Sequence, residues 1–319
     1  MNPGVEDFLL IDLPAVLAAV LAALACALPG SFLVLRRQAL MGDAMSHVVL
    51  PGIVCAYLAV GDIAPLAMVA GALGAALVAV LLINALQRVG GLEPGAAMGV
   101  VFTVMFAAGL VLLEQSGAGN AHLDAEHALY GNLEGTLWPG PRDWADLLDP
   151  ESYRTLPRVL VTLAVVTAAM VLLLVLFFKE LAVTTFDPGL AAGLGISTRA
   201  VGTGLLAMTA VAAVAAFEAV GSIIVIAMFV CPAATARMLT DRLAAQVWLS
   251  ALFAVLAGAG GYWLAAFLPP LLGHDNALNA AGMVAVAAGA MQCLAMLLAP
   301  RYGVLPRAWR ARRRLAAAG

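Results

Sequence analysis

The 319-residue chain is 64% apolar and only 11% charged, against roughly 25% charged residues in soluble domains. A helix across ~30 Å of hydrocarbon needs about 20 apolar residues, and several uncharged stretches reach that length, so the sequence reads as an all-α, polytopic integral membrane protein. A transmembrane barrel is excluded because its strands would alternate apolar and polar residues; the net charge of −3 says little about partners, and no nucleic-acid partner is expected.

Hydropathy predicts nine helices, over residues 13–35, 38–60, 63–86, 95–113, 157–178, 200–219, 220–236, 243–268 and 277–299. The sixth and seventh share one apolar block, broken between Glu218 and Gly221. The acidic start, MNPGVEDF, is unlike a basic signal-peptide head, so the first run is expected to be retained. Lys and Arg concentrate in cytoplasmic loops. With the N-terminus outside and the C-terminus in the cytoplasm, thirteen of the sixteen basic residues fall inside, and only Arg142, Arg154 and Arg158 stay out. An even number of spans breaks this segregation.

Residues 114–156 are too polar to span and form an external loop, with Tyr130, Trp138 and Trp144 expected at headgroup depth. Residues 300–319 are a basic cytoplasmic tail, suited to anionic membrane lipid. Cys26, Cys55, Cys231 and Cys293 stand alone and are expected as small buried hydrophobes. The sole lysine, Lys179, sits in FFKEL, so no GxxxxGK[ST] phosphate loop exists in these residues, nor does HExxH or GxSxG. If ATP drives the protein, another subunit binds it.

The stretch LRRQALMGDAMSHVVLPG carries the main polar anomaly. Asp43 and His47 are four residues apart and so share a helix face. With Arg36 and Arg37 at the inner surface, Asp43 lies about 9–10 Å along the helix and His47 ~6 Å deeper. An ionisable group there costs at least ~2.5–3.5 kcal/mol and belongs on a protein interior or a wet pathway. Two readings follow: a buried ion pair that locks packing, or a divalent-cation site, since carboxylate oxygen and imidazole nitrogen suit manganese, iron or zinc.

Two further segments stand on the cytoplasmic side. In FDPGLAAGLGIS (186–197), Asp187 and Pro188 are a helix-start signal. In VGSIIVIAMFVCPAATARMLTDRL, Pro232 is expected to end or kink a helix, leaving a short polar segment through residue 243. Both suit docking onto a separate motor.

These segments, with FLVLRRQALMGDAMSHVVLPGIV, AAMGVVFTVMFAAGLVLL and HLDAEHALYGNLEGTLW, resemble the bacterial zinc/manganese/iron ABC importer permease family over residues 14–304. CPAATARMLTDR is more distantly similar to the ATPase-contacting segment of vitamin B12 and iron-siderophore permeases, whose type II importer fold the resemblance implies. It further implies one permease domain, a second permease protomer, cytoplasmic ATP-binding subunits and an extracytoplasmic metal-binding protein. The transported divalent metal (manganese, zinc or iron) would be the only metal, with no resident cofactor and no catalytic residues of its own. The family's metal-coordinating Asp and His fall on Asp43 and His47. Asp187, Pro188, Pro232, Thr235, Arg237, Asp241 and Arg242 fall in the segments expected to couple to the ATPase. One departure is Pro94, in GLEPGAAMG, where relatives are often acidic.

Weaker metal candidates are Glu218, in the broken block, and His122, Asp124 and His127, which with Glu126 form an H-x-D-x-E-H cluster in the external loop. His274 and Asp275 fall in a turn-like GHDN, and Glu114 and Gln115 end the fourth span. The rivals to the importer are an ATP-independent, proton-coupled metal carrier using Asp43 and His47 as a relay, and a non-transporting scaffold.

Overall fold

The computed structural model describes residues 3–39, 41–61, 65–115, 133, 135–141, 143–271, 273, 278–307 and 309–310, without the side chains of Pro3, Asp43, Met45, Ser46, Pro65, Leu66, Glu218 and Ser222 to Ile224. The first apolar run is α1 (Gly4–Leu35), which passes through a π turn at Phe8–Asp12. Its alanines, among them Ala15, Ala18, Ala19, Ala22 and Ala23, are fully buried. Such small side chains let neighbouring helices approach closely where the bundle has no water to expel. Accordingly, α1 becomes the central post.

Around it stand α2 (Met41–Val60), α3 (Pro65–Val89), α4 (Pro94–Gln115), α5 (Arg158–Leu176), the short α6 (Phe178–Phe186) and α7 (Pro188–Gly193). Then follow α8 (Thr198–Val220), α9 (Ser222–Leu239), α10 (Leu243–Leu271) and α11 (Ala280–Leu298). Helices α5, α8, α9 and α10 pack directly on α1, and α2 packs on α3, α4, α8 and α9. Among the described residues there is no strand, and seven helices are long and apolar enough to cross a membrane. The other two long ones, α2 and α9, contribute the apolar helical stretches His47–Val60 and Val225–Leu239. Among the described residues nine long helices fall on the nine expected spans, eight of them to within three residues at either end, whereas α1 begins nine residues earlier than expected.

Polar contacts tie α1 to its neighbours. The Thr167 hydroxyl donates to the Leu21 carbonyl at 3.1 Å, and Ser250 donates to the Ala27 carbonyl at 3.3 Å. After α1 the chain turns at Arg37, whose φ of 58° is left-handed, and the Gln38 amide closes back on the Leu33 carbonyl at 2.8 Å. That turn consumes the residues expected to begin the second span, so α2 starts at Met41.

The two ends of the bundle are distinct. At one, the Trp138 amide donates to the Leu10 carbonyl at 2.9 Å, and Tyr262 donates to the Asp12 carboxylate at 2.7 Å. At the other, Arg36 donates to the Thr184 and Thr185 hydroxyls at 2.8 and 3.0 Å, and Asn84 donates to Thr203 at 3.2 Å. The chain before α1 and the chain after α11 lie at opposite ends, as an odd number of crossings requires.

Three expectations are corrected. Trp138 is 2% exposed, its indole N–H donating to the Ser152 carbonyl at 3.0 Å. It is thus the core of the loop rather than a headgroup anchor, whereas Trp144 is exposed and Tyr130 lies outside the described residues. Cys26 is buried, but Cys55 and Cys293 lie exposed on the flank of the bundle. Pro232 does not end its helix: it is buried inside α9, which continues to Leu239.

Candidate metal pathway and coupling surface

Met41 to Val60 form one helix, so Asp43 and His47 stand one turn apart on α2, as their spacing requires. The half-buried His47 ring meets two aromatic rings of α4, Phe102 at 5.1 Å and Phe106 at 5.6 Å between centroids. Phe102 and Phe106 stack on each other at 6.1 Å. Being four residues apart, they share one face of α4, a spacing that the sequence displays in VFTVMF. α4 can lie this close because a Cβ on Gly109 would sit 2.8 Å from the Pro51 ring.

On the other side of α2, Phe229 of α9 is 1% exposed and fills the space over Gly42 and Gly30, where a Cβ would run into its ring or carbonyl. This contact sets the register of the helices. α2 runs away from the arginine-rich end and α9 towards it. At ~1.5 Å per residue from the Gly42–Phe229 contact, His47 is ~7.5 Å and Gly221 ~12 Å towards the opposite end. The backbone of Glu218, three residues before Gly221 on α8, is then level with His47 to within about one turn.

The break between α8 and α9 is the expected one. Gly221 has φ 74° and ψ 171°, a region open essentially to glycine alone. It is also enclosed: Ala219 and Val220 are 1% and 0% exposed, and Gly221 is buried. The two apolar helices therefore meet inside the protein and not in an interfacial loop. The side chains of Asp43 and Glu218 lie outside the described set, as do His122, Asp124, Glu126, His127, His274 and Asp275. Among the described residues no three His, Cys, Asp or Glu side chains gather as a metal site.

At the arginine-rich end, Asp187 caps α7, its carboxylate accepting from the Leu190 amide at 2.9 Å, with Pro188 at the first helical position. Asp187, Pro188 and Gly189 are exposed. So are Phe186, Leu190 and Leu194, at 58%, 53% and 62%. Leu190 lies on α7, Phe186 is the last residue of α6 and Leu194 is the cap after α7, so the three are exposed apolar residues on and beside this short helix. Sequence reading picked the polar signals of this element and passed over these apolar residues.

The second coupling segment is more internal than expected. Thr235 is 2% exposed and donates to the Gln292 side-chain oxygen at 2.8 Å, joining α9 to α11. Arg237 is half-buried and 3.8 Å from Asp241, while Arg242 is exposed. Asp241 accepts from Arg301 at 2.5 Å and from the Tyr302 hydroxyl at 2.7 Å. These two bonds hold its carboxyl below the ordinary value of 3.8. Nothing local in the sequence announced Arg301 and Tyr302, sixty residues away.

Comparison with known proteins agrees with this architecture. The chain is 36% identical over 286 residues to the manganese transport system membrane protein MntD of Bacillus subtilis, covering 90% of this chain and 91% of that protein. It is 39% identical over 294 residues to the zinc transport system membrane protein TroD of Treponema pallidum, covering 92% and 75%. Among solved structures, PsaBC from Streptococcus pneumoniae in complex with Fab matches with a TM-score of 0.70 and 25% identity, over 95% of this chain and 98% of that one. The model of the ABC 3 transport family matches residues 9–136 and 156–273, and the chain belongs to that family.

Proposed function

We propose that this chain is the membrane permease subunit of an ATP-binding-cassette importer that carries a divalent transition metal, manganese, zinc or iron, into the cytoplasm of a bacterial cell across its inner membrane. Relatives across nearly the full chain are membrane proteins of manganese and zinc transport systems. The observation that carries the site is the α2 pair: an acid and an imidazole one turn apart in an apolar helix, with the His47 ring against α4 aromatics and a buried helix break about one turn away. Such a pair offers oxygen and nitrogen to replace part of an ion's hydration shell. Glu218, at the same depth on a helix that packs against α2, is a third donor of the right kind.

The sole lysine lies in FFKEL, so the phosphate-loop lysine of an ATP site has to come from another subunit. We place the pair of cytoplasmic ATP-binding subunits against the arginine-rich end, where Asp187 and Pro188 fix α7 and the exposed Phe186, Leu190 and Leu194 lie on and beside it. The exposed parts of the second segment, Asp241 and Arg242, with the half-buried Arg237, flank that surface; Pro232 and Thr235 act through packing inside α9. The N-terminal end then faces outward and receives metal from an extracytoplasmic binding protein, with His122, Asp124 and His127, between α4 and α5 in the sequence, as candidate first contacts. A second permease protomer completes the pathway. ATP moves the gate only if the motor binds its two states differently.

Metal uptake in cells tests this reading. Asp43→Ala and His47→Ala should each abolish uptake while the permease still co-purifies with its ATPase. Uptake at the parental rate in both variants would remove the pair from the pathway, and uptake without any ATPase would favour the proton-coupled carrier.

A further inference from the structure

At the arginine-rich end, the chain leaving α1, the last turns of α3 and the first turns of α8 enclose an open pocket of about 440 Å³. Arg36, Arg88 and Arg199 converge on it, one from each. An arginine at a helix end needs no ligand to explain it when it meets an acid or stands alone in water. Here no carboxylate lines the pocket, and none of the three forms an ion pair among the described residues. The other polar lining is neutral: Gln38, Gln87 and Thr198, beside the bond from Asn84 to Thr203.

Arg36 is half-buried, and its Nε and Nη2 atoms donate to Thr185 and Thr184 of α6, which fixes the side chain. The remaining nitrogen, Nη1, has no acceptor among the described residues and is open to the pocket, 3.6 Å from where a Cβ on Gly202 would lie. It is thus a held donor that a ligand can reach. Thr198 and Arg199 begin the 23-residue α8, whose positive end adds to the same field. Three guanidiniums and a helix N-terminus repel a divalent metal and call for an anion, and guanidinium donors match phosphate oxygens best. The approach to the pocket is apolar. On α3, Leu77, Leu81, Asn84 and Arg88 follow at spacings of four, three and four, so they share a face, and both leucines are exposed. An acyl chain lying on those leucines carries its headgroup to Asn84 and Arg88.

We propose that this pocket binds a phosphate-bearing anion that the membrane supplies as a lipid headgroup, and that cardiolipin, with two phosphodiesters and no ammonium, fits it best. Basic pockets between helices at a cytoplasmic face suit such headgroups. A phosphatidylglycerol brings one negative charge to three guanidiniums. A phosphatidylethanolamine also brings an ammonium, which they repel.

The test is native mass spectrometry of the full chain, purified in detergent and offered cardiolipin, phosphatidylglycerol and phosphatidylethanolamine in equal amounts, with and without excess pyrophosphate. Neither metal nor ATP takes part in it. Retention should fall in that order, and pyrophosphate should leave bound cardiolipin in place. Arg88→Gln combined with Arg199→Gln, at two exposed sites where folding is not at stake, should lower cardiolipin retention about thirtyfold, the scale of two charges at a membrane surface. Arg307→Gln combined with Arg310→Gln, in the basic tail, should lower it far less. Equal retention of the three lipids, or cardiolipin retention unchanged in the Arg88 and Arg199 double variant, overturns the proposal. Displacement by pyrophosphate would make the occupant a soluble phosphate and overturn the membrane as its source. Loss of the bound lipid when the ATP-binding subunits assemble would give the pocket to an acidic side chain of theirs and overturn it as well.

Discussion

At the scale of single residues, two contacts determine what a substitution can do. Gly221 occupies a backbone region that any side chain resists, so Gly221→Ala should cost about 1–3 kcal/mol. Because the break is buried at the depth of His47, the same change should also slow metal uptake. A lowered melting temperature with normal uptake would separate the break from the pathway. Asp241 is the other. Arg301 and Tyr302 keep its carboxyl below 3.8, so the contact contributes above the ordinary carboxylate range and is lost as pH falls through the lowered value. Hydrogen exchange across residues 300–307, taken relative to the intrinsic exchange rate at each pH, should therefore be unchanged from neutrality to about pH 5, and should rise only in stronger acid. Tyr302→Phe should raise it at neutral pH, and equal exchange in that variant and the parent would show that the tether holds nothing.

At the scale of elements, the apolar helices and the break at Gly221 were legible because hydropathy and glycine are local signals. The Asp43 and His47 spacing was legible for the same reason, since α2 is a single uninterrupted helix. What lay beyond the sequence depended on which faces meet. Phe102 and Phe106 were read only as part of an apolar run, and it took the approach of α4 to Pro51 to turn them onto His47. Pro232 looked like a helix end, yet burial against neighbouring helices carries α9 through it. Phe186, Leu190 and Leu194 were visible as apolar residues but had no meaning until they proved exposed on and beside a helix outside the spans. Leu190→Glu should leave the permease folded while weakening both ATPase binding and uptake by about tenfold, the scale of one buried leucine. Co-purification that survives this charge intact would move the docking surface elsewhere.

At the scale of the whole molecule, the nine long helices among the described residues put the two described ends of the chain on opposite faces, and one face collects Arg36, Arg88, Arg199 and Arg301. The proposed orientation puts this face in the cytoplasm, so a reporter fused after α11 should be active only when it functions there. On the proposed reading, Asp43 and His47 make a polar step on α2, Gly221 makes a buried break about one turn from it, and the sequence holds no phosphate-binding loop. Transport on that reading depends on other subunits. The most direct measurement is uptake of radiolabelled manganese and zinc into proteoliposomes containing this chain, its ATP-binding subunits and its metal-binding protein. Accumulation should require ATP and both partners and vanish in Asp43→Ala and His47→Ala. Accumulation by the permease alone, or undiminished in both variants, would contradict it.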